Sequence, residues 1–165
     1  MQNTTSQVAV VAFADEAQTG SSGWVNLKNG TLSVIQNDIE WAMNPGFAMG
    51  TNFNAALTEA ENVMTSLPQT PIDRTLNYLI FLSDGQDRGG DFLSIADSLV
   101  NSFGVAIMTV ALGEEAIGGS TLQDLALPKS NSSKPNHIGA YYTAQSGSDL
   151  DNVWEGLFAD LAKCE

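Results

Sequence analysis

The sequence has few of the residues that build covalent or metal-bound frameworks. Its single cysteine, Cys164, cannot form a disulfide within the chain, and a lone cysteine excludes a cysteine-rich metal cluster. The single histidine, His137, leaves little choice of a general base for catalysis and is typical of a surface or loop residue. These shortages argue against a disulfide-stabilised fold and a zinc cluster.

Basic side chains are scarce as well, with 6 Lys and Arg residues against 19 Asp and Glu residues and a formal net charge of −13. This charge repels phosphate backbones and anionic lipid, so we expect no nucleic-acid partner. No stretch approaches the roughly 18 apolar residues of a membrane span, so we expect no membrane insertion. This net charge instead favours cations and basic protein surfaces as binding partners.

The short motifs that identify common enzymes on α/β folds are absent. The sequence has no Gly-x-x-x-x-Gly-Lys phosphate loop, no glycine fingerprint for a dinucleotide and no Gly-x-Ser-x-Gly nucleophile motif. We therefore expect a protein that is not an enzyme. A metal-assisted hydrolase that uses Asp84, Asp87 and Asp91 is the remaining enzymatic alternative.

What the sequence does contain is an alternation of strand and helix signals, typical of an α/β sheet with helices on both faces. Apolar runs without alternation predict buried strands at 8–13, 76–82 and 105–112, and weaker signals predict strands at 24–27 and 140–143. The stretch 113–137 is predicted to be mostly loop, with one short helical piece. A length of 165 residues fits one domain, 1–165.

Four helices are predicted from apolar residues at helical spacing. Thr31 is the predicted N-cap of the first, Gly104 the C′ residue of the third and Ser148 the cap of the fourth, while the second follows Gly50-Thr51-Asn52. The predicted apolar stripes are Leu32, Ile35, Ile39 and Ala42; Phe53, Leu57, Ala60, Met64 and Leu67; Phe92, Ile95, Ala96, Leu99 and Phe103; and Leu150, Val153, Leu157 and Leu161.

Two short loops carry the candidate functional residues. Thr51 precedes the second helix, and Asp84 follows the strand at 76–82. Counting the direction of each element along the chain places both at the carboxyl rim of one parallel sheet, where ligands bind in such folds. A hydroxyl and a carboxylate suit a hard ion such as Mg²⁺, which usually retains several waters. The acids Asp15, Asp87 and Asp91 are candidates for water-mediated contacts or added negative potential.

Each of these residues also fits an ordinary structural role. Thr51 before a helix is typical of an N-cap, and Asp84 before a glycine is typical of a turn whose carboxylate binds backbone N–H groups. Asp87 and Asp91 are typical of solvated loop acids. The tryptophans are typical of full or partial core anchors: Trp24, Trp41 and Trp154.

Three segments, taken together in order and spacing, resemble the von Willebrand factor type A (vWA) domain. The segments at 8–15, 50–57 and 80–85 look like the second strand, the threonine loop and the aspartate loop of that family. The strand at 105–113 and the helix at 148–161 fit the remainder. The resemblance covers nearly the whole chain.

The resemblance implies a three-layer, doubly wound and mostly parallel sheet with one antiparallel edge strand, a Rossmann-like α/β fold. The family's metal-ion-dependent adhesion site (MIDAS) takes its ligands from three loops, which carry Asp-x-Ser-x-Ser, a threonine and an aspartate. Thr51 and Asp84 match the second and third loops, with Ser83, Asp87 and Asp15 in supporting positions. The implied cofactor is Mg²⁺, or Mn²⁺ or Ca²⁺ in its place.

The first of the three loops has no match. No Asp-x-Ser-x-Ser occurs in the chain, which begins just before the family's second strand. Because the family's first strand is central, its loss leaves buried backbone groups unpaired at about 1–3 kcal/mol each. We therefore expect an N-terminally incomplete domain, a fragment of a longer protein. The alternatives are a separate segment or chain that supplies the strand, or direct pairing of strands 8–13 and 76–82.

The resemblance implies protein–protein recognition or adhesion, in which an acidic side chain of a partner protein completes the coordination of the ion. With two protein ligands at most, this chain alone is expected to bind the ion weakly. A metal-independent structural vWA module, in a surface or an intracellular complex, is the alternative. A bacterial, extracellular or cell-surface location is expected, with a cytoplasmic complex as the alternative.

Overall fold

The computed structural model describes residues 7–27, 32–43, 50–66, 77–87, 90–126 and 139–162. The chain divides into two compact units: unit 1 comprises Met1–Pro68 with Arg88–Gly90, and unit 2 comprises Gln69–Asp87 with Asp91–Glu165. Several residues of the sequence-based predictions lie outside the described residues, namely Thr31, Leu67, Leu76, His137 and Cys164.

Unit 1 contains two short antiparallel strand pairs. β1 (Gln7–Val8) pairs with β4 (Val25–Asn26), and β2 (Val11–Phe13) pairs with β3 (Ala17–Thr19). The prediction of one buried strand at 8–13 is therefore wrong, because the run is divided between two pairs and only Ala12 in it is buried.

The cause of this division is a chain reversal that the sequence-based prediction missed. Residues 14–16 form a bend, and β3 returns alongside β2 as a hairpin. The acids at 15–16, which were expected to follow the end of a strand, thus occupy a turn between two antiparallel strands. Two antiparallel pairs are present where one antiparallel edge strand was predicted.

The helices of unit 1 are α1 (Leu32–Ala42) and α2 (Phe53–Thr65), as predicted. α2 packs against β2 and β3 and buries Phe53, Leu57 and Ala60 of its expected stripe, whereas Met64 is half-buried. The Phe53 ring is in edge-to-face contact with Phe13 at a centroid distance of 6.2 Å. In α1 the predicted stripe is only partly covered. The buried face of the helix is centred on Asp38. Leu32 and Ile39 lie at the edge of this face and are exposed.

Unit 2 contains a three-stranded parallel sheet with the order β5 (Asn77–Ser83), β6 (Val105–Leu112), β7 (Ala140–Ala144). The register is continuous: Asn77 to Ser83 lie opposite Val105 to Ala111. Met108 to Leu112 in turn lie opposite Ala140 to Ala144. All three predicted strands are present, but in β5 only Phe81 and Ser83 are buried, so the prediction that this strand is buried throughout is wrong.

Helices cover this sheet. α3 (Phe92–Phe103) packs against β6 and ends, as predicted, at Gly104 in a left-handed conformation with φ 62°. α4 (Gly113–Ile117) lies in the stretch that was predicted as loop, and α5 (Thr121–Ala126) is the predicted short helical piece. α6 (Leu150–Ala162) packs against β7.

The start of α6 differs from the prediction. A 3₁₀ turn at Gly147–Asp149 precedes the helix, and Ser146 and Asp149 form a capping box. The cap is therefore Ser146 rather than Ser148, because the 3₁₀ turn moves the beginning of the helical segment toward the N-terminus.

The core of unit 2 forms where β6 and β7 meet α6. Its buried members are Met108, Val110, Ala144, Val153 and Leu157. The fully buried hydroxyl of Thr109 donates a hydrogen bond to the carbonyl oxygen of Leu122 at 2.9 Å, which satisfies the one polar side chain inside β6. Parallel strands joined by covering helices give an α/β fold. No helix in the described part of the chain is both long and apolar enough to cross a membrane.

Candidate functional site

The loop that carries Thr51 is held in place by its neighbour Asn52. The Asn52 backbone N–H donates to the Ala14 carbonyl at 2.9 Å, and its side-chain amide donates to the Asp15 carbonyl at 3.0 Å. The Asn52 side-chain oxygen accepts a hydrogen bond from the N–H of Ala55 at 3.0 Å. The N-cap of α2 is therefore Asn52, and the expectation that Thr51 caps the helix is wrong.

Gly50 brings the same loop against Asp15. A Cβ atom built at Gly50 would lie 1.8 Å from Oδ1 of Asp15, so any side chain at position 50 would displace this carboxylate. Asp15 is exposed and Thr51 is half-buried. Unit 1 thus brings together two of the predicted site positions, Asp15 and the loop of Thr51.

The loop that carries Asp84 follows β5 in unit 2. The buried Ser83 hydroxyl accepts from the N–H of Gly85 and donates to the Gly85 carbonyl, both at 3.3 Å, and so holds the turn. Asp84 is exposed, and Asp87 is half-buried three residues further on. Three predicted site residues, Ser83, Asp84 and Asp87, therefore share one turn of unit 2.

Asp91 has a structural role that the sequence-based interpretation missed. Its side chain accepts a hydrogen bond from the N–H of Ser94 at 3.3 Å, so Asp91 is the N-cap of α3. This role differs from the solvated loop acid that was predicted.

An open, acidic depression lies beside the Asn52 loop in unit 1. Two hydrogen bonds from Thr19, one from its hydroxyl and one from its backbone N–H, reach the Glu59 carboxylate. The hydroxyl bond is the largest cause that lowers the pKa of Glu59 below its ordinary value, against a smaller opposing effect of burial. The depression is lined by Asp15, Glu16, Ala17, Asn52, Asn54, Ala55, Thr58 and Glu59.

The clustering of these acids does not amount to a metal centre by itself. Within the described ranges, no group of three or more His, Cys, Asp or Glu side chains is placed to hold a metal ion. Thr51 belongs to unit 1 and Asp84 to unit 2, and their convergence stays a prediction. The sequence-based interpretation assigned no role to Asn52 and Glu59. The preference of asparagine for N-cap positions could have indicated the first, whereas nothing local pairs Glu59 with Thr19.

The fold places the chain in the α/β class, and comparison with known families narrows the class further. The family model of the von Willebrand factor type A domain matches residues 1–154. The chain therefore belongs to the vWA family. No curated protein matches it.

Solved structures share this fold. Proximal thread matrix protein 1 from the mussel byssus, in a structure with a zinc-occupied MIDAS motif, has a TM-score of 0.65 and 24% identity over 98% of this chain and 37% of that chain. A von Willebrand factor type A protein from Catenulispora acidiphila has a TM-score of 0.66 and 13% identity over 93% of this chain and 33% of that chain. The chain thus spans about a third of the length of either structure.

Proposed function

We propose that the chain is a protein–protein recognition module in which Thr51 and Asp84 each offer an oxygen ligand to a divalent cation. Family membership carries this proposal, because the vWA match includes both loops. A protein with the same fold has a MIDAS motif occupied by zinc, which supports a divalent ion as the cofactor. Mg²⁺, or Mn²⁺ or Ca²⁺ in its place, is the ion that we propose here.

The donor groups of the two loops suit a hard cation in kind. Mg²⁺ takes oxygen ligands and usually keeps several waters, so few protein groups are needed. Asn52 fills the cap position of α2, and Ser83 holds the turn after β5, so other side chains perform the local structural roles. Two donors remain a partial set, and binding by the chain alone is therefore weak.

In this proposal the cation bridges two proteins. An acidic side chain of the partner completes the coordination, and the net charge of −13 favours cations at the surface. The module is not an enzyme, which the absence of the common catalytic motifs from the sequence supports. It acts outside the cell, which its low lysine and cysteine content supports. Residues 1–165 act as one domain, because the family match runs through both units.

The test uses Mn²⁺, which broadens the NMR signals of nuclei near a bound ion. Substoichiometric Mn²⁺ should broaden the amide signals of Thr51 and Asp84 together, and excess Mg²⁺ should reverse this effect. Titration calorimetry with Mg²⁺ should give a dissociation constant weaker than micromolar. A micromolar or tighter constant would contradict the two-ligand site.

Two variants distinguish binding of the ion at this site from nonspecific attraction of the ion to acidic side chains. Asp84→Asn should abolish the broadening at Thr51, because the substitution removes a charged ligand and retains the shape of the side chain. Asp97→Asn, at an exposed position of α3, removes the same charge elsewhere and should leave the broadening unchanged. Equal broadening in wild type and Asp84→Asn would contradict the assignment of Asp84 as a ligand, and a wild type without any broadening would favour the metal-independent structural module.

A further inference from the structure

Position 50 requires a glycine because of the space beside it, not because of its backbone conformation. The φ of Gly50 is not positive, so a residue with a Cβ could adopt the same backbone. The three atoms nearest to a Cβ built at Gly50 all belong to the Asp15 carboxyl group, and none is farther away than 2.9 Å. The glycine therefore allows this carboxylate to lie against the backbone that leads to Thr51.

Asn52 fixes the backbone of Asp15 relative to the same loop. The Asn52 backbone N–H donates to the carbonyl of Ala14 at 2.9 Å, and its side-chain amide donates to the carbonyl of Asp15 at 3.0 Å. These bonds join the turn after β2 to the residue that follows Thr51, and all of these residues belong to unit 1. Asp15 and Thr51 thus lie on two segments that are bonded to each other.

The Asp15 carboxylate accepts no hydrogen bond from the described part of the chain. Asp15 accepts the Asn52 bond at its backbone carbonyl, and its side chain is exposed. An aspartate in a turn usually accepts hydrogen bonds from nearby backbone N–H groups. The Asp15 side chain has no such bond with any described residue, so these residues leave both of its oxygens available to an ion.

We propose that Asp15 is a direct ligand of the cation and takes the place of the acidic ligand that the missing first loop would supply. This inference rests on the cation site proposed above and adds one protein ligand to Thr51 and Asp84. It replaces the water-mediated contact that the sequence suggests for Asp15. Gly50 and Asn52 are then positioning residues, because one admits the carboxylate and the other fixes its backbone.

The resulting set of donors fits a hard divalent cation. Mg²⁺, Mn²⁺ and Ca²⁺ take carboxylate and hydroxyl oxygens as ligands. The carboxylates of Asp15 and Asp84 balance the two positive charges of the ion, and Thr51 adds a neutral oxygen. Three protein ligands still leave places in an octahedral shell for water and for an acidic side chain of the partner. The chain alone therefore remains a weak binder.

The first test compares two neighbouring acids of the same turn. Titration with Mn²⁺, followed by broadening of the Thr51 amide signal, gives an apparent dissociation constant. Asp15→Asn should raise this constant about tenfold, because the substitution removes a charged ligand. Glu16→Gln removes the same charge from the next residue, which is also exposed, and should change the constant far less. Equal effects of the two variants would overturn the proposal.

Gly50→Ala moves the carboxylate without removing its charge. The added Cβ displaces the end of the Asp15 side chain, which can rotate away without a change in the backbone. Gly50→Ala should therefore weaken Mn²⁺ binding about as much as Asp15→Asn, and the double variant should bind no more weakly than Asp15→Asn alone. Thermal unfolding checks that each variant is folded. Additive losses in the double variant would show that Gly50 does not act through Asp15.

The luminescence of Eu³⁺ distinguishes direct coordination from a contact through water. Its lifetimes in H₂O and D₂O give the number of waters bound to the ion, and Eu³⁺ also prefers oxygen ligands. Asp15→Ala should increase this number, because water occupies the place of the lost carboxylate, whereas Glu16→Ala should leave it unchanged. An unchanged number in Asp15→Ala would place a water between Asp15 and the ion and would overturn the proposal.

The pattern of Mn²⁺ broadening separates this inference from the site on which it rests. Equal broadening of Thr51 and Asp84 in wild type and Asp15→Asn would overturn the inference and leave the proposed site intact. Broadening of Asp15 and Thr51 without Asp84 would contradict the proposed site and support an ion held by unit 1. A wild type without broadening at any of these residues would overturn both.

Discussion

Two apolar runs of similar composition form different structures in the two units. In unit 2 the run at 105–112 forms a single strand, β6, with a neighbour on each side and almost every side chain buried. In unit 1 the run at 8–13 is divided between β1 and β2, each in a two-stranded antiparallel pair. An apolar run therefore allows a buried strand, and the elements around it decide whether one forms.

The surroundings of β6 explain the contrast. α3, α4 and α5 pack against it, and the parallel partners β5 and β7 satisfy its backbone on both edges. β2 has α2 and the short β3 as its main neighbours within unit 1. With fewer apolar side chains to contact, the run at 8–13 gains less from remaining straight and buried.

The strongest test of this contrast truncates one matched leucine in each unit. Leu57 on α2 and Leu99 on α3 are both fully buried helical residues. Leu57→Ala and Leu99→Ala should each lower the free energy of unfolding by about 2–5 kcal/mol, because each removes apolar contacts and leaves a cavity. Thermal unfolding followed by circular dichroism measures both values.

An exposed leucine provides the control for this pair. Leu93→Ala on α3, at a position 41% exposed, should cost less than about 1 kcal/mol. If Leu57→Ala costs no more than this control, the core of unit 1 is looser than its burial indicates. Both core variants should shift one common transition, and two separate transitions would contradict the proposal of one domain.

A smaller effect is expected from the residues that cap helices in the two units. Asn52→Ala removes the cap of α2 and the bond to Asp15, and should cost about 1–2 kcal/mol. Ser146→Ala removes one half of the capping box before α6 and should cost about 0.5–1 kcal/mol. Chemical denaturation gives both values.

Two further variants at α2 separate the bonds of Asn52. Asn52→Asp retains the cap oxygen and loses the amide donor to Asp15, so it should recover most of the stability lost in Asn52→Ala. Thr58→Ala, on the exposed face of the same helix, should be nearly neutral. If Asn52→Asp and Asn52→Ala are equally unstable, the bond to Asp15 contributes more than the cap.

The smallest expected effect is the pH dependence of the bond between Thr19 and Glu59. The pKa of Glu59 is lower in the folded chain than its ordinary value of 4.5, chiefly because of the Thr19 hydroxyl. The resulting stabilisation is complete above the unfolded-state pKa and is lost as the pH falls through the folded-state pKa. Thr19→Val should therefore destabilise the chain at pH 7 and lose this effect in acid.

NMR titration of the Glu59 carboxyl carbon measures this pKa directly. The value should rise in Thr19→Val and stay close to wild type in Thr19→Ser, which retains a hydroxyl. An unchanged pKa in Thr19→Val would assign the shift to the other causes, which include the Asn62 side chain and the Thr19 backbone.

The sequence predicts unit 2 better than unit 1. β5, β6 and β7 follow from apolar runs, and α3 ends at Gly104 as expected, because these features depend on local composition. The hairpin of β2 and β3 could not be predicted from local composition. β3 is Ala-Gln-Thr, three residues without an apolar pattern, and it is a strand only because β2 lies beside it.

The candidate site likewise contains positions that the sequence predicts and contacts that it does not. Loop positions such as Thr51 and Asp84 follow from motif spacing, and the family match supports their assignment to a vWA chain. The contacts that shape the Thr51 loop, from Asn52 to Ala14 and Asp15, join residues 37 or more positions apart. No local rule of propensity or periodicity predicts a pairing at that separation.

The position of β6 between two partners also determines when its amide protons can exchange with solvent. An interior strand must lose a neighbour before water reaches its N–H groups, so these protons should be among the slowest to exchange in the chain. Their lifetimes then report cooperative opening of unit 2 as a whole. Any ligand that stabilises this unit should lengthen them, even when it binds far from the strand.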